Sequence, residues 1–179
     1  MKVTVHQSNL EVVQGDITQQ ETMAIGNAAN SALAGGGGVD GAIHGAGGPS
    51  IMFELKARYQ GCPTGSAVIT AGGNLKAKYV IHAVGPRYSG RPQDAGLLAS
   101  AYQKSLELCT RNKISSVAFP SISTGIYGYP VEEASRIALK TAIDYLKNHP
   151  EIQLVRFVLF DSKTYGVYEK ALGELTQTM

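Results

Sequence analysis

The sequence predicts an α/β fold: a three-layer α/β/α sandwich with a central mixed β-sheet, built as one domain over residues 1–179. Three observations predict it. Short β-branched or apolar runs recur along the chain, and segments with helical periodicity lie between them. Several of the runs are almost continuously apolar, which marks strands buried on both faces beneath helices. The first runs follow one another without a helix between them, so an antiparallel edge on a largely parallel sheet is expected.

In chain order, the expected strands are Val3–Val5, Leu10–Val13, Thr22–Ile25, Ser66–Thr70, Tyr79–Ala83, Ser116–Phe119 and Leu154–Phe160. A helical turn is expected after the glycine run at 35–38, and a short helix over Ser50–Tyr59. A longer helix over Asp94–Arg111 carries Leu98, Ala101, Tyr102, Ser105 and Cys109 on one face, with Asp94 placed to cap its start. Val131–Asn148 carries Val131, Ala134, Ala138, Ala142 and Tyr145 on one face. Pro130 precedes it, Glu132 and Glu133 lie in its first turn and Lys147 in its last, which suits the helix dipole, and Pro150 enforces the stop. A last helix is expected near Tyr165–Thr176.

Composition narrows the function. A chain of 179 residues suffices for a full core, and 44% hydrophobic against 17% charged residues excludes a disordered segment. The net charge of +2, with no Lys/Arg block and no basic helical face, argues against a nucleic-acid partner and is compatible with a small anionic ligand. Cys62 and Cys109 lack a C-x-x-C spacing and read as buried, reduced thiols. The opening residues have no apolar leader region, and no apolar run approaches the roughly 20 residues that span a bilayer. A cytoplasmic monomer with no membrane partner is therefore expected. His6, His44, His82 and His149 have no metal-ligand spacing, so neither a metal nor another cofactor is expected; His82, in a buried strand, reads as a core residue with its bonds satisfied.

In parallel sheets, ligands bind beyond the carboxyl ends of the strands, and four segments lie there. The first is Asn27-Ala28-Ala29-Asn30, then Gly35-Gly36-Gly37-Gly38-Val39-Asp40 and Ala42-Ile43-His44. Four glycines leading into a helix present unhindered backbone N–H groups, a ready anion site. Each amide-to-phosphate bond is worth about 1.5–3 kcal/mol. Neither a P-loop nor a dinucleotide fingerprint fits. The second is Ser121–Pro130, between a strand and a helix, where Ser123, Thr124 and Gly125 permit close approach to phosphate and Tyr127 offers a flat face; alone, it reads equally well as an ordinary βα loop. The third is Gly15-Asp16-Ile17-Thr18: Asp16 can accept from an exocyclic amine, although taken alone it reads as a helix cap or Asx-turn. The fourth is Phe160-Asp161, where the aromatic ring serves equally as a base-stacking surface or a core residue. No catalytic triad is present.

Together, in this order, and with Pro63-Thr64-Gly65 and His82-Ala83-Val84-Gly85-Pro86, these segments resemble the macro domain family, in particular its MacroD-type branch, over almost the whole chain. The resemblance implies an α/β/α fold that binds ADP-ribose. It implies that Asp16 bonds the adenine amino group with backbone support from Ile17, and that Phe160 lines the adenine pocket. The loops Gly37-Gly38-Val39 and Ser123-Thr124-Gly125-Ile126-Tyr127 would clasp the diphosphate, with Asn27 among the ligand-binding residues. Asn30 would contact the distal ribose, and Asp40 would orient the attacking water. The implied activities are removal of mono-ADP-ribose from acidic side chains of ADP-ribosylated proteins and deacetylation of O-acetyl-ADP-ribose. A non-catalytic ADP-ribose reader is the alternative. The chain departs from the family pattern at Gly26, where an apolar β-branched residue is usual, and at Gly45 and Gly47 in the helix after the loop. Each mid-helix glycine costs about 0.5–1 kcal/mol against alanine, so a more mobile first loop is expected.

Overall fold

The computed structural model describes residues 1–177. Among these, seven strands form one sheet: β1 (Lys2–Val5), β2 (Ser8–Gln14), β3 (Ala24–Ala28), β4 (Ala67–Ala71), β5 (Tyr79–Ala83), β6 (Ser116–Phe119) and β7 (Leu154–Leu159). Five helices accompany them: α1 (Gly38–Gly47), α2 (Ser50–Arg58), α3 (Gln93–Arg111), α4 (Val131–Lys147) and α5 (Ser162–Thr176). The strand order is β1-β2-β7-β6-β3-β5-β4. The five inner strands run parallel, and the edge strands β1 and β4 run antiparallel to their neighbours. The antiparallel opening pair agrees with the sequence reading; the second antiparallel edge, at β4, lay outside it.

Side chains alternate across the pleat and divide into two cores. Leu10, Val12, Val117, Phe119, Val155 and Phe157 face α3, α4 and α5 through Leu98, Tyr102, Leu139 and Tyr168. Val80, Ala118 and Val158 face α1 and α2 through Ile43, Ile51 and Leu55, and Ile17 and Leu33 close that layer. The two layers of helices around the sheet are the sandwich that the alternation of elements predicts.

Element ends differ from the sequence reading where they matter for function. β3 begins at Ala24 and runs through Gly26 and Asn27 to Ala28, not over Thr22–Ile25. Gly and Asn are poor strand formers, and pairing with β5 on one side and β6 on the other overrides that preference. β7 stops at Leu159, so Phe160 lies beyond the strand, 82% exposed; a core role for its ring is excluded. α5 starts at Ser162 because the Asp161 carboxylate caps the Thr164 amide at 2.7 Å. Asp94 does not cap α3 in the expected way. It lies inside the first turn and turns back to accept from the Ser89 and Gly90 amides at 2.8 and 3.0 Å; those bonds hold its carboxyl below the ordinary range. Cys62 and Cys109 are buried free thiols, and burial pushes Cys109 up to about 12.

Candidate functional site

The carboxyl ends of the parallel strands all open on one edge of the sheet. At its centre, β3 carries Asn27, which is fully buried. Its amide nitrogen donates to Asp40 Oδ1 at 2.7 Å and lies 3.1 Å from His82 Nδ1. Asp40 is buried in the first turn of α1, where a carboxylate suits the positive end of the helix. His44, one turn on, places Nε2 3.3 Å from the same Asp40 Oδ1. Asp40 Oδ2 lies beneath the glycine run, 3.6 Å from where a Cβ on Gly36 would sit. One carboxylate oxygen is thus anchored and the other is turned toward the loop.

The run itself starts α1. Gly37 is the N-cap, Gly38 has φ +57, and the first helical bond runs from Gly41 N to Gly37 O. The N–H groups of Gly38, Val39 and Asp40 therefore have no intrahelical acceptor, the condition for an anion site. Asn30 closes the preceding turn: its Nδ2 donates to Gly35 O at 2.9 Å, and its Oδ1 accepts from Ala34 N at 3.0 Å.

Across the edge, the loop after β6 is a closed turn, with Tyr129 N bonded to Ser123 O at 2.9 Å and Gly128 N to Gly125 O at 3.0 Å. Ser123 is buried at φ +71, a conformation that a non-glycine residue rarely adopts. Thr124 Oγ1 donates to Ser121 Oγ, which also receives the Tyr168 hydroxyl. Gly125 is exposed and Ile126 is 92% exposed at the tip. Tyr127 is held to the segment after β5 twice, by Tyr88 N to Tyr127 O at 2.8 Å and by the Arg87 guanidinium 5.1 Å from its ring. Beside Tyr127 lies a cleft of about 580 Å³, lined by Asn30, Ala34, Thr64, Gly85 and Arg87 among others.

At the far end of the edge, β2 and β7 are adjacent and parallel, and Gly15 N bonds Leu159 O. That register brings Asp16 and Phe160 together just past the strand ends. Asp16 Oδ1 accepts from Thr18 N and Thr18 Oγ1 at 2.9 and 2.7 Å, the Asx-turn expected of this residue alone, while its Oδ2 keeps its lone pairs. Ile17 is buried in the layer of α1, with Val39 packed against the same cluster. In strand order, the segments after β2, β7, β6 and β3, which carry Asp16, Phe160, the Ser123–Tyr127 turn and Asn30, follow one another along the edge.

Among the described residues, the buried side-chain polar atoms without a partner are Asn27 Oδ1, His44 Nδ1 and Ser123 Oγ. Each such group costs about 1–3 kcal/mol, and all three lie along this edge. Unpaired buried polar groups call for an explanation, and a polar ligand at this edge is one. No group of three or more His, Cys, Asp or Glu among the described residues could hold a metal ion.

Residues 26–138 match the family model described as the macro domain. A macro domain-containing protein of Caldanaerobacter subterraneus subsp. tengcongensis is 58% identical over 170 residues, covering 93% of this chain and 97% of that protein. The chain belongs to the macro domain family. A relative from Cronobacter turicensis, named O-acetyl-ADP-ribose deacetylase, is 52% identical over 169 residues, covering 92% of this chain and 96% of that protein. The solved structure of the Oceanobacillus iheyensis macrodomain with ADP superposes with a TM-score of 0.95 at 44% identity, covering 100% of this chain and 97% of the other.

Two of the three departures of this macro domain from its family pattern, Gly26 and Gly47, have structural causes. A Cβ on Gly26 would lie 2.5 Å from the Phe119 ring, which fills the space a β-branched residue would take. Gly47 is similarly occupied, with Ile51 Cδ1 2.2 Å from its Cβ position, whereas Gly45 faces open space. Sequence reasoning missed Gly85, Arg87 and Thr64 as walls of the cleft. Gly85 admits no side chain, because a Cβ there would lie 2.2 Å from Ser123 Oγ. For Gly85 and Arg87 the available signal was position: Val84–Arg87 follows the parallel strand β5.

Proposed function

We propose that this macro domain binds ADP-ribose along the strand-end edge and hydrolyses ADP-ribosyl esters, releasing mono-ADP-ribose from acidic side chains and acetate from O-acetyl-ADP-ribose. The observation that carries this reading is the anchored Asp40 carboxylate. It is buried, bonded to Asn27 at 2.7 Å, and turns its second oxygen toward the anion-binding run Gly35–Gly38. Adenine would lie at Asp16, with Ile17 behind it and the exposed Phe160 ring as its wall. The diphosphate would lie between the amides of Gly37, Gly38 and Val39 and the turn Ser123–Tyr127. That order puts the distal ribose beside Asn27, Asn30 and Asp40, with the cleft along Thr64 and Arg87 left for the acyl side.

Hydrolysis of either ester consumes one water and returns a carboxylic acid and a ribose hydroxyl. Asp40 orients that water and takes up its proton, and the proton is delivered to the departing oxygen; the amides of the two loops hold charge that the ligand itself brings. The residues require no metal for this.

The reader alternative draws on one observation. Both polar ends of the Asn30 amide already close their own loop, so Asn30 shapes the site even without touching the ribose. Incubation of the purified protein with a glutamate-linked ADP-ribosylated protein, and separately with O-acetyl-ADP-ribose, separates the two. Release of free ADP-ribose is expected, and binding without release would establish the reader. Asn30→Ala and Asp40→Ala should each lower kcat by about 100-fold, the scale of a positioned general base, with ADP-ribose affinity within about threefold. Equal losses in turnover and affinity would remove the catalytic assignment.

A further inference from the structure

We propose that His82 is a positioning residue for this reaction: with its ring proton on Nε2, it receives one proton of the Asn27 amide on Nδ1 and so aims the other at Asp40. The inference rests on the hydrolase reading above. It starts from strand register. Asn27 of β3 and His82 of β5 are direct partners in a parallel pair, so their side chains share a face. On the other side, β4 pairs Thr70 with Val80 and Val68 with His82, so Thr70 is the diagonal neighbour of His82 on the same face. Both His82 and Thr70 are buried, and water does not complete their bonds.

The bonds then fix each proton in turn. Thr70 Oγ1 donates its hydrogen to Ala71 O at 3.0 Å, so it accepts from His82 Nε2, 2.9 Å away. A neutral ring with a proton on Nε2 has a lone pair on Nδ1, which accepts from Asn27 Nδ2 at 3.1 Å. The remaining amide proton of Asn27 meets Asp40 Oδ1 at 2.7 Å; an ionised carboxylate only accepts, so no other orientation of the amide serves both neighbours. The chain Ala71–Thr70–His82–Asn27–Asp40 therefore runs in one direction, and it leaves Asn27 Oδ1 as the unpaired acceptor in the site.

The ring has to stay neutral for this to hold. Burial, and then the neighbouring His44 ring at 6.0 Å, depress His82 to about 3. The other charged group it reaches is Asp40, through Asn27. Were the proton on Nδ1 instead, it would confront the Asn27 amide. The amide would turn over, and its oxygen would face the Asp40 carboxylate. Asp40 Oδ1 would lose its 2.7 Å donor and keep only His44 Nε2 at 3.3 Å, while the loop amides assigned to the diphosphate stay where they are. The ring thus bears on turnover and not on the grip on ADP-ribose.

Three measurements test this together. The ¹⁵N shifts of the His82 imidazole between pH 6 and 8 should show Nε2 protonated and Nδ1 bare; the reverse tautomer overturns the proposal whether or not any variant folds. His82→Leu should lower kcat on O-acetyl-ADP-ribose by 10- to 30-fold with ADP-ribose affinity within threefold, and His82→Gln, which keeps an acceptor, should recover part of the loss. Thr70→Val, a milder change that frees Nε2, should lower kcat in the same sense. In an Asp40→Ala background, His82→Leu should cost less than a further twofold. A full additive loss there, or an affinity loss equal to the kcat loss, overturns the positioning role while the hydrolase reading stands. If the wild-type protein releases nothing, the hydrolase reading falls and the positioning role with it.

Discussion

One methyl group at residue 85 would disturb this site more than most larger changes elsewhere. Gly85 lies against the turn that carries Ser123, and an added Cβ would meet Ser123 Oγ at 2.2 Å and Ile122 Cγ2 at 2.5 Å. Ser123 cannot yield cheaply, because it is already held at φ +71 and its turn is closed by the bond from Tyr129. Overpacking of this kind costs about 1–3 kcal/mol. Gly85→Ala should therefore lower unfolding free energy in urea by that amount. It should also weaken ADP-ribose binding by at least tenfold in calorimetry, about 1.4 kcal/mol, because the turn Ser123–Tyr127 has to move. Gly166→Ala, in open space on α5, serves as the control and should leave affinity unchanged. Unchanged affinity in Gly85→Ala would detach the turn from the ligand. The residue type at position 85 was readable from the chain, but its reason was not. Sequence shows that a glycine follows a strand; only packing shows which atom excludes a side chain. Phe160 carries the same lesson: pattern left its ring between core and ligand, and its exposure removes the first.

At the scale of elements, α1 contains two glycines that look alike in sequence and differ in kind. Gly45 has nothing within 4 Å of its Cβ position. Gly45→Ala should therefore raise unfolding free energy by about 0.5–1 kcal/mol through helix propensity alone. A Cβ on Gly47 would lie 2.2 Å from Cδ1 of Ile51, which is buried in the α1–α2 layer. Gly47→Ala forces that side chain off its rotamer and should lower stability by about 1 kcal/mol in spite of the propensity gain. Urea titration of the two variants checks both signs, and matching gains would show that the Ile51 packing is loose. The elements themselves were largely legible. Helical period identified α3 and α4 to within a residue at each end, because both are long and bury one face. β3 was read too early, since Gly26 and Asn27 contradict strand propensity and are held by partners far away in sequence. That error hid a structural fact: Asn27 belongs to β3, paired with His82, and not to the glycine loop.

At the scale of the whole molecule, the buried polar chain behind Asp40 couples the fold to pH. The order of segments along the sequence announced which residues would share the strand-end edge, since parallel strands deliver all their carboxyl ends to one side. It could not announce that a histidine two strands away would be enclosed and neutral, because enclosure depends on α1 and β4 closing over β5. In the folded protein, burial and then the neighbouring His44 ring lower His82 from its ordinary 6.5 to about 3. Between those values the unfolded chain binds a proton that the native protein refuses, so unfolding free energy falls as pH falls through this window. The full slope is about 1.4 kcal/mol per pH unit. From pH 6.5 to 5 the loss from His82 should be about 2 kcal/mol. Well above pH 7 the His82 slope fades, because the unfolded chain also loses its proton there. Urea unfolding at pH 7.5, 6.5, 5.75 and 5 measures this directly. The wild-type protein should weaken along that series, and His82→Gln should lose most of the slope whatever its absolute stability. If the variant and the wild-type protein weaken in parallel, the ring is not held neutral in the native state, and the direction of the Thr70–His82–Asn27–Asp40 chain would have to be reassigned.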